Sequence, residues 1–105
     1  MGILSSLFGI GNKTEKIQEY LNDGAMIVDV RTKEEYRMGN IKKSENFPLQ
    51  LIEGKIPKLK KSNTKIITCC QSGARSSAAA AVLKRNGIDA VNGGSWNSLQ
   101  SIMKG

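Results

Sequence analysis

The chain has 105 residues, with 16 Lys+Arg against 9 Asp+Glu, two cysteines and no histidine. One domain of ordinary size with a modest core fits that length, and the +7 formal charge favours anionic partners. The missing imidazole excludes Cys-His and Ser-His-Asp catalysis, while cysteines at the adjacent positions 69 and 70 supply neither a disulfide framework nor a four-cysteine metal site.

Residues 1–12 read as a short apolar arm ahead of a single domain over 13–105. Its charge-free run ends at Asn12, well short of the roughly 20 apolar residues of a membrane span. It also lacks the early basic region of a signal peptide. With reduced thiols, a cytoplasmic setting is the expectation. Met1-Gly2 with Ser6 fits the loose myristoylation pattern, which is common by chance.

From Lys13 to Asp23, Ile17, Tyr20 and Leu21 recur at helical spacing, and Gly24 supplies the stop. Ala25 to Val30 is a nearly continuous apolar run, typical of a strand buried on both faces. Thr32 with Glu35 is a capping-box signature for a short helix that Gly39 closes. A brief strand is expected within Ile41 to Pro48. Prolines 48 and 57 predict short helical turns over Leu49 to Leu59 rather than one long helix.

Seven lysines and only two acids lie between Lys42 and Lys65, with Phe47 the single ring among them. A nucleic-acid surface needs rings interleaved with its charge. The stretch therefore reads as a solvated face or a docking face for an acidic partner, with no nucleic acid expected.

Lys65 to Cys70 is the second buried strand. Cys70-Gln-Ser-Gly-Ala-Arg-Ser76 follows and runs into an alanine-rich helix ended by Gly87. Ile88 to Val91 predicts a last short strand, Gly93-Gly94 a tight turn, and Ser95 the cap of a C-terminal helix carrying Trp96, Leu99 and Ile102. Strands alternating with helices imply an α/β fold: a small parallel sheet of about five short strands with helices on both faces. No internal repeat is present.

A cysteine between a buried strand and a helix N-terminus has a chemistry of its own. Loop N–H groups can converge on the sulfur, and the helix dipole adds favourable potential. Both lower a thiol's pKa, so Cys70 is expected to be substantially thiolate near neutral pH without a histidine. Gly73 permits the tight backbone such a loop needs. Arg75 can add fixed positive charge, and Ser76 can cap the helix or donate to a bound anion. The plainer reading is a buried strand-end cysteine followed by an ordinary helix start.

Cys70-x-x-Gly73-x-Arg75-Ser76 resembles the active-site loop of rhodanese-type sulfurtransferases. Ile27-Val-Asp-Val-Arg31 with Glu34-Glu35-Tyr36 and Gly39-Asn40-Ile41 resembles that family's first signature. Asn46-Phe-Pro-Leu49 is similar to the stretch after it. Val91 with Gly93-Gly94 and Trp96 is similar to the C-terminal signature, so the likeness spans roughly residues 13 to 104.

The resemblance implies a thiosulfate sulfurtransferase-type enzyme. In that reading the Cys70 thiolate takes sulfane sulfur from a small anionic donor such as thiosulfate, forming a persulfide. The backbone amides of residues 71 to 75 (Gln71, Ser72, Gly73, Ala74 and Arg75) would hold it, with Ser76 beside them. A thiol or protein acceptor then removes the sulfur, with no cofactor and no metal. Asp29 and Arg31 would belong to a polar network supporting the site, or to a fold-level ion pair.

Two departures stand out. Asn40 replaces the histidine of the usual Gly-His-Ile, and Lys42-Lys43 replace small turn residues. Cys69 stands where the family commonly has an aromatic or histidine. Adjacent strand residues point to opposite faces, so Cys69 is expected in the core; pairing with Cys70 would need a strained bond between neighbours. The alternatives are a persulfide carrier or docking module that does not turn over, and a Cys-based phosphatase or arsenate reductase on the same fold. Their Cys-x5-Arg loop is met only by counting from Cys69.

Overall fold

The two apolar runs pair with each other at the centre of a parallel sheet. The computed structural model describes residues 10–104, with side chains from Lys13 onward; residues 1–9, most of the apolar arm, lie outside them. In chain order the elements are α1 (Ile10–Asn22), β1 (Met26–Asp29), α2 (Lys33–Arg37), β2 (Glu45–Asn46), α3 (Ile56–Ser62), β3 (Ile66–Cys70), α4 (Ala74–Arg85), β4 (Ala90–Ser95) and α5 (Trp96–Lys104). Two 3-10 turns, Leu49–Leu51 and Glu53–Lys55, join β2 to α3, as the flanking prolines predicted. Thr32 and Glu35 form the expected capping box on α2. Among the described residues, no helix is long and apolar enough to cross a membrane.

The strand order is β2-β1-β3-β4, all parallel. The described residues form four strands where about five were expected. Among the described residues each run read as extended forms one strand, and the stretch after Pro48 coils into helical turns. All five residues of β3 are fully buried, and their side chains alternate between two cores. Ile66 and Cys70 face Leu59 of α3 and Ala79, Ala80 and Leu83 of α4. Ile67 and Cys69 face Ile17 and Tyr20 of α1 and Leu99 of α5. Helices therefore cover both faces, as the uninterrupted apolar runs required.

Strand β4 departs from its expectation. It runs straight through Gly93-Gly94, where the sequence predicted a turn. Thr68 pairs with Asn92 and Cys70 with Ser95, so two steps on β3 match three on β4. That is a β-bulge, and only glycine fits it. A Cβ on Gly93 would lie 2.7 Å from Ile67 Cγ2 and 2.8 Å from the Thr68 carbonyl oxygen, and Gly94 has φ +85. Ser95 then caps α5 as expected, accepting from Ser98 N at 3.2 Å.

This topology fixes where ligands can approach. The chain leaves β1 toward β2 on one side and β3 toward β4 on the other. Open parallel sheets bind ligands beyond the carboxyl ends of strands at such a switch point. Asp29 ends β1 and Cys70 ends β3, so both sit at that crevice.

Candidate active site

The helix that follows Cys70 begins without an ordinary cap. Gly73 is its N-cap residue, at φ 103, and no side-chain oxygen caps the first turn. The first N–H groups of any helix lack intrahelical partners. Here the sulfur takes that place: Cys70 Sγ accepts from Gly73 N at 3.0 Å, Ser76 N at 3.4 Å and Ser76 Oγ at 3.3 Å. A side chain at position 73 would adopt this left-handed backbone only under strain, and its Cβ would sit 3.5 Å from Gly94 Cα.

Burial pushes the Cys70 thiol up. The Ser76 hydroxyl, and then the N–H groups of Ser76, Gly73 and Ser72, outweigh it and hold Cys70 below its ordinary value. Hydrogen bonding to the charged form does here what a neighbouring imidazole does elsewhere.

Cys69 is in the opposite situation. Its side chain lies in the other core, and burial together with the nearby Asp29 carboxylate pushes its thiol up. Counting a Cys-x5-Arg loop from Cys69 thus starts at a sulfur that faces away from the loop.

Arg75 reaches across to α2 rather than to the sulfur. Its Nη1 and Nη2 donate to Glu35 Oε1 and Oε2 at 2.7 and 2.9 Å. Glu35 also accepts from Thr32 N at 2.9 Å. The Arg75 bond, followed by the Thr32 bond, draws the Glu35 carboxyl down to about 2. The Glu35 bond in turn raises Arg75. Gln71 and Ala74 are exposed at the rim, and among the described residues neither they nor Arg75 hydrogen-bond Cys70 Sγ.

Asp29 and Arg31 form a buried pair, 0 % and 2 % exposed, at 2.8 Å. Arg31 Nε also donates to both Asp29 oxygens, at 3.0 and 3.1 Å. Its remaining donors reach the carbonyl oxygens of Glu35 at 3.2 Å and Gly39 at 2.7 Å. Its guanidinium lies 4.7 Å above the Trp96 ring. Among the described residues the pair makes no hydrogen bond to Cys70 Sγ, but it meets the loop indirectly. Glu35 gives its carbonyl to Arg31 and its carboxylate to Arg75, so α2 links the buried pair to the start of α4.

Sequence reasoning missed three contributors. Glu35 reads from the sequence as a capping-box and signature residue, and its carboxylate also holds Arg75. Thr68 Oγ1 donates to the Ser76 carbonyl at 2.7 Å and anchors the first turn of α4. Asn92 on β4 accepts from Ser76 Oγ at 2.7 Å and donates to the Gly73 carbonyl at 3.2 Å. An asparagine inside a strand was the available signal, since that residue is depleted there. Asn40, in place of the family's histidine, donates to the Tyr36 carbonyl at 2.9 Å and so closes α2. Phe47, the ring among the lysines, is buried beneath Lys55 and Lys58 at 4.9 and 5.5 Å.

Residues 13–100 match a family model described as Rhodanese-like domain. A rhodanese-like domain protein from Staphylococcus aureus has a similar structure, at 32% identity and TM-score 0.68, over 82% of this chain and 86% of that one. A rhodanese-related protein from Thermoplasma volcanium is similar at 27% identity and TM-score 0.70, over 84% and 87%. A human single-domain sulfurtransferase shares the fold at 22% identity and TM-score 0.66, over 83% and 91%. No curated protein matches the chain.

Proposed function

The chain belongs to the rhodanese-like domain family, and on that premise we propose that it is a sulfurtransferase working through a Cys70 persulfide. One observation carries the reading: the Cys70 sulfur receives the Gly73 and Ser76 donors, and among the described residues no side-chain base hydrogen-bonds it. The arrangement suits a nucleophile that must already be a thiolate, not one deprotonated during the reaction.

In the first half-reaction Cys70 Sγ attacks the outer sulfur of thiosulfate. An S–S bond forms to Sγ, the bond to the sulfonate sulfur breaks, and its electron pair leaves as sulfite. The loop's N–H groups, now spent on Sγ, are the donors available to the persulfide's outer sulfur. In the second half-reaction a thiol, a protein acceptor or cyanide attacks that outer sulfur and returns the electron pair to Sγ. Cys70 lies on the loop floor and is fully buried, so a slim terminal sulfur is the kind of group that can enter.

Steady-state thiocyanate formation from thiosulfate and cyanide tests the reading. Ping-pong kinetics are expected, with no product from Cys70→Ala. Sulfur that loads onto Cys70 from thiosulfate but is not passed to cyanide identifies a stoichiometric carrier instead. A folded, reduced protein that loads none overturns the thiosulfate reaction.

A further inference from the structure

The Ser76 hydroxyl has one proton and faces two acceptors. Asn92 Oδ1 lies 2.7 Å from Ser76 Oγ, and Cys70 Sγ lies 3.3 Å from it. One O–H cannot serve both at full strength. Asn92 is itself fixed at both ends of its amide. Gly94 N donates to Oδ1 at 2.9 Å, and Nδ2 donates to the Gly73 carbonyl at 3.2 Å. The β4 bulge and the loop turn thus hold this amide beside Ser76.

We propose that Asn92 is a positioning residue that takes the Ser76 hydroxyl while the Cys70 sulfur is uncharged and yields it when charge forms there. For the transfer step the inference rests on the sulfurtransferase reading; for the thiol's ionisation it does not. When Sγ is a thiol, or the inner sulfur of a persulfide, it carries no charge, and the shorter bond to Asn92 prevails. When Sγ is a thiolate, a charge-assisted bond is roughly twice as strong as a neutral one, and the O–H turns to sulfur. During loading, the electron pair on Sγ becomes the new S–S bond and the hydroxyl swings back to Asn92. During unloading, the acceptor attacks the outer sulfur, the S–S pair passes to Sγ, and the hydroxyl returns as that charge builds. No proton changes owner. Asn92 Oδ1 keeps its Gly94 donor throughout, so neither state leaves the amide oxygen bare.

Several charged groups surround this end of the sheet: Arg75 on α4, Glu35 on α2, Asp29 and Arg31 at the end of β1, and Lys13 on α1 against Gly94. Strand β4 carries no titratable residue. Replacing Asn92 by alanine changes none of these charges but also removes its bonds to Gly94 N and the Gly73 carbonyl, so the Ser76→Ala background is what separates the hydroxyl's share.

The test is the pH profile of Cys70 alkylation by iodoacetamide, located by peptide mapping, with no sulfur donor present. The result therefore stands or falls apart from the transfer reaction. Asn92→Ala leaves the hydroxyl to the sulfur alone. The apparent pKa of Cys70 is expected to fall by about half a unit, the scale of one net hydrogen bond, with roughly threefold faster alkylation below it. Asn92→Asp keeps an acceptor and adds like charge, so the pKa is expected to rise. In a Ser76→Ala background the Asn92→Ala shift disappears. Shifts of the same sign in both Asn92 variants, or an Asn92→Ala shift that persists without Ser76, overturn the proposal. Should Asn92→Ala fail to fold, the near-isosteric Asn92→Asp decides. Its rise must shrink when Ser76 is removed, and an undiminished rise overturns the proposal.

Discussion

Cys69 and Cys70 are neighbours in the chain and opposites in the structure. Both are fully buried at the end of the same strand, yet one thiol is pushed up and the other held down. Burial acts on both, so burial does not separate them. The difference is donors: Cys70 meets Gly73 N, Ser76 N and Ser76 Oγ, while Cys69 meets apolar side chains and the Asp29 carboxylate. The pleat of β3 assigns them, because a one-residue step turns a side chain to the other face. What separates the two thiols is thus which of them faces the helix N-terminus, not their shared place at the strand end.

The same contrast extends to the two arginines, and substitutions there sharpen it. Arg31 belongs to the Cys69 face and is closed off with Asp29. Arg31→Ala leaves the Asp29 carboxylate buried without its partner, which costs about 3–5 kcal/mol. Denaturant unfolding is expected to show that loss, on the scale of a small domain's whole stability. Arg75 belongs to the Cys70 face, and it and Glu35 are each about a third exposed. Breaking that pair is expected to cost about 1 kcal/mol or less.

Glu35→Gln tests this smaller effect by its pH dependence. The folded carboxyl lies near 2 against an ordinary 4.5. Its stabilisation is therefore complete above about pH 4.5 and is lost as pH falls toward 2. The wild-type protein is expected to lose stability across that window, and Glu35→Gln to lack that part of the loss. Thermal unfolding at pH 6 and at pH 3 measures the difference. Equal losses in both proteins would remove the pair from the account.

The parts of the site legible in the sequence are those made by neighbours in the chain. Two uninterrupted apolar runs marked β1 and β3, and the offsets of Gly73, Arg75 and Ser76 from Cys70 marked the loop. Alternation along β3 was enough to send Cys69 to the core. What escaped was made by distant residues or by an ambiguous local signal. Glu35 and Arg75 stand 40 residues apart, and the capping box already accounted for the glutamate. Gly93-Gly94 carries the same glycine signature for a turn as for a bulge. Pairing with β3 decides between them, and that pairing is not written in the local sequence. Asn92 escaped with the bulge that aims it.

Of the two cysteines, Cys70 alone is expected to take up sulfur. Incubation with thiosulfate, followed by intact mass and peptide mapping, tests it most directly. One added sulfur is expected on Cys70, released by cyanide as thiocyanate, and none in Cys70→Ala. Sulfur on Cys69, or no adduct on the folded and reduced protein, would contradict it.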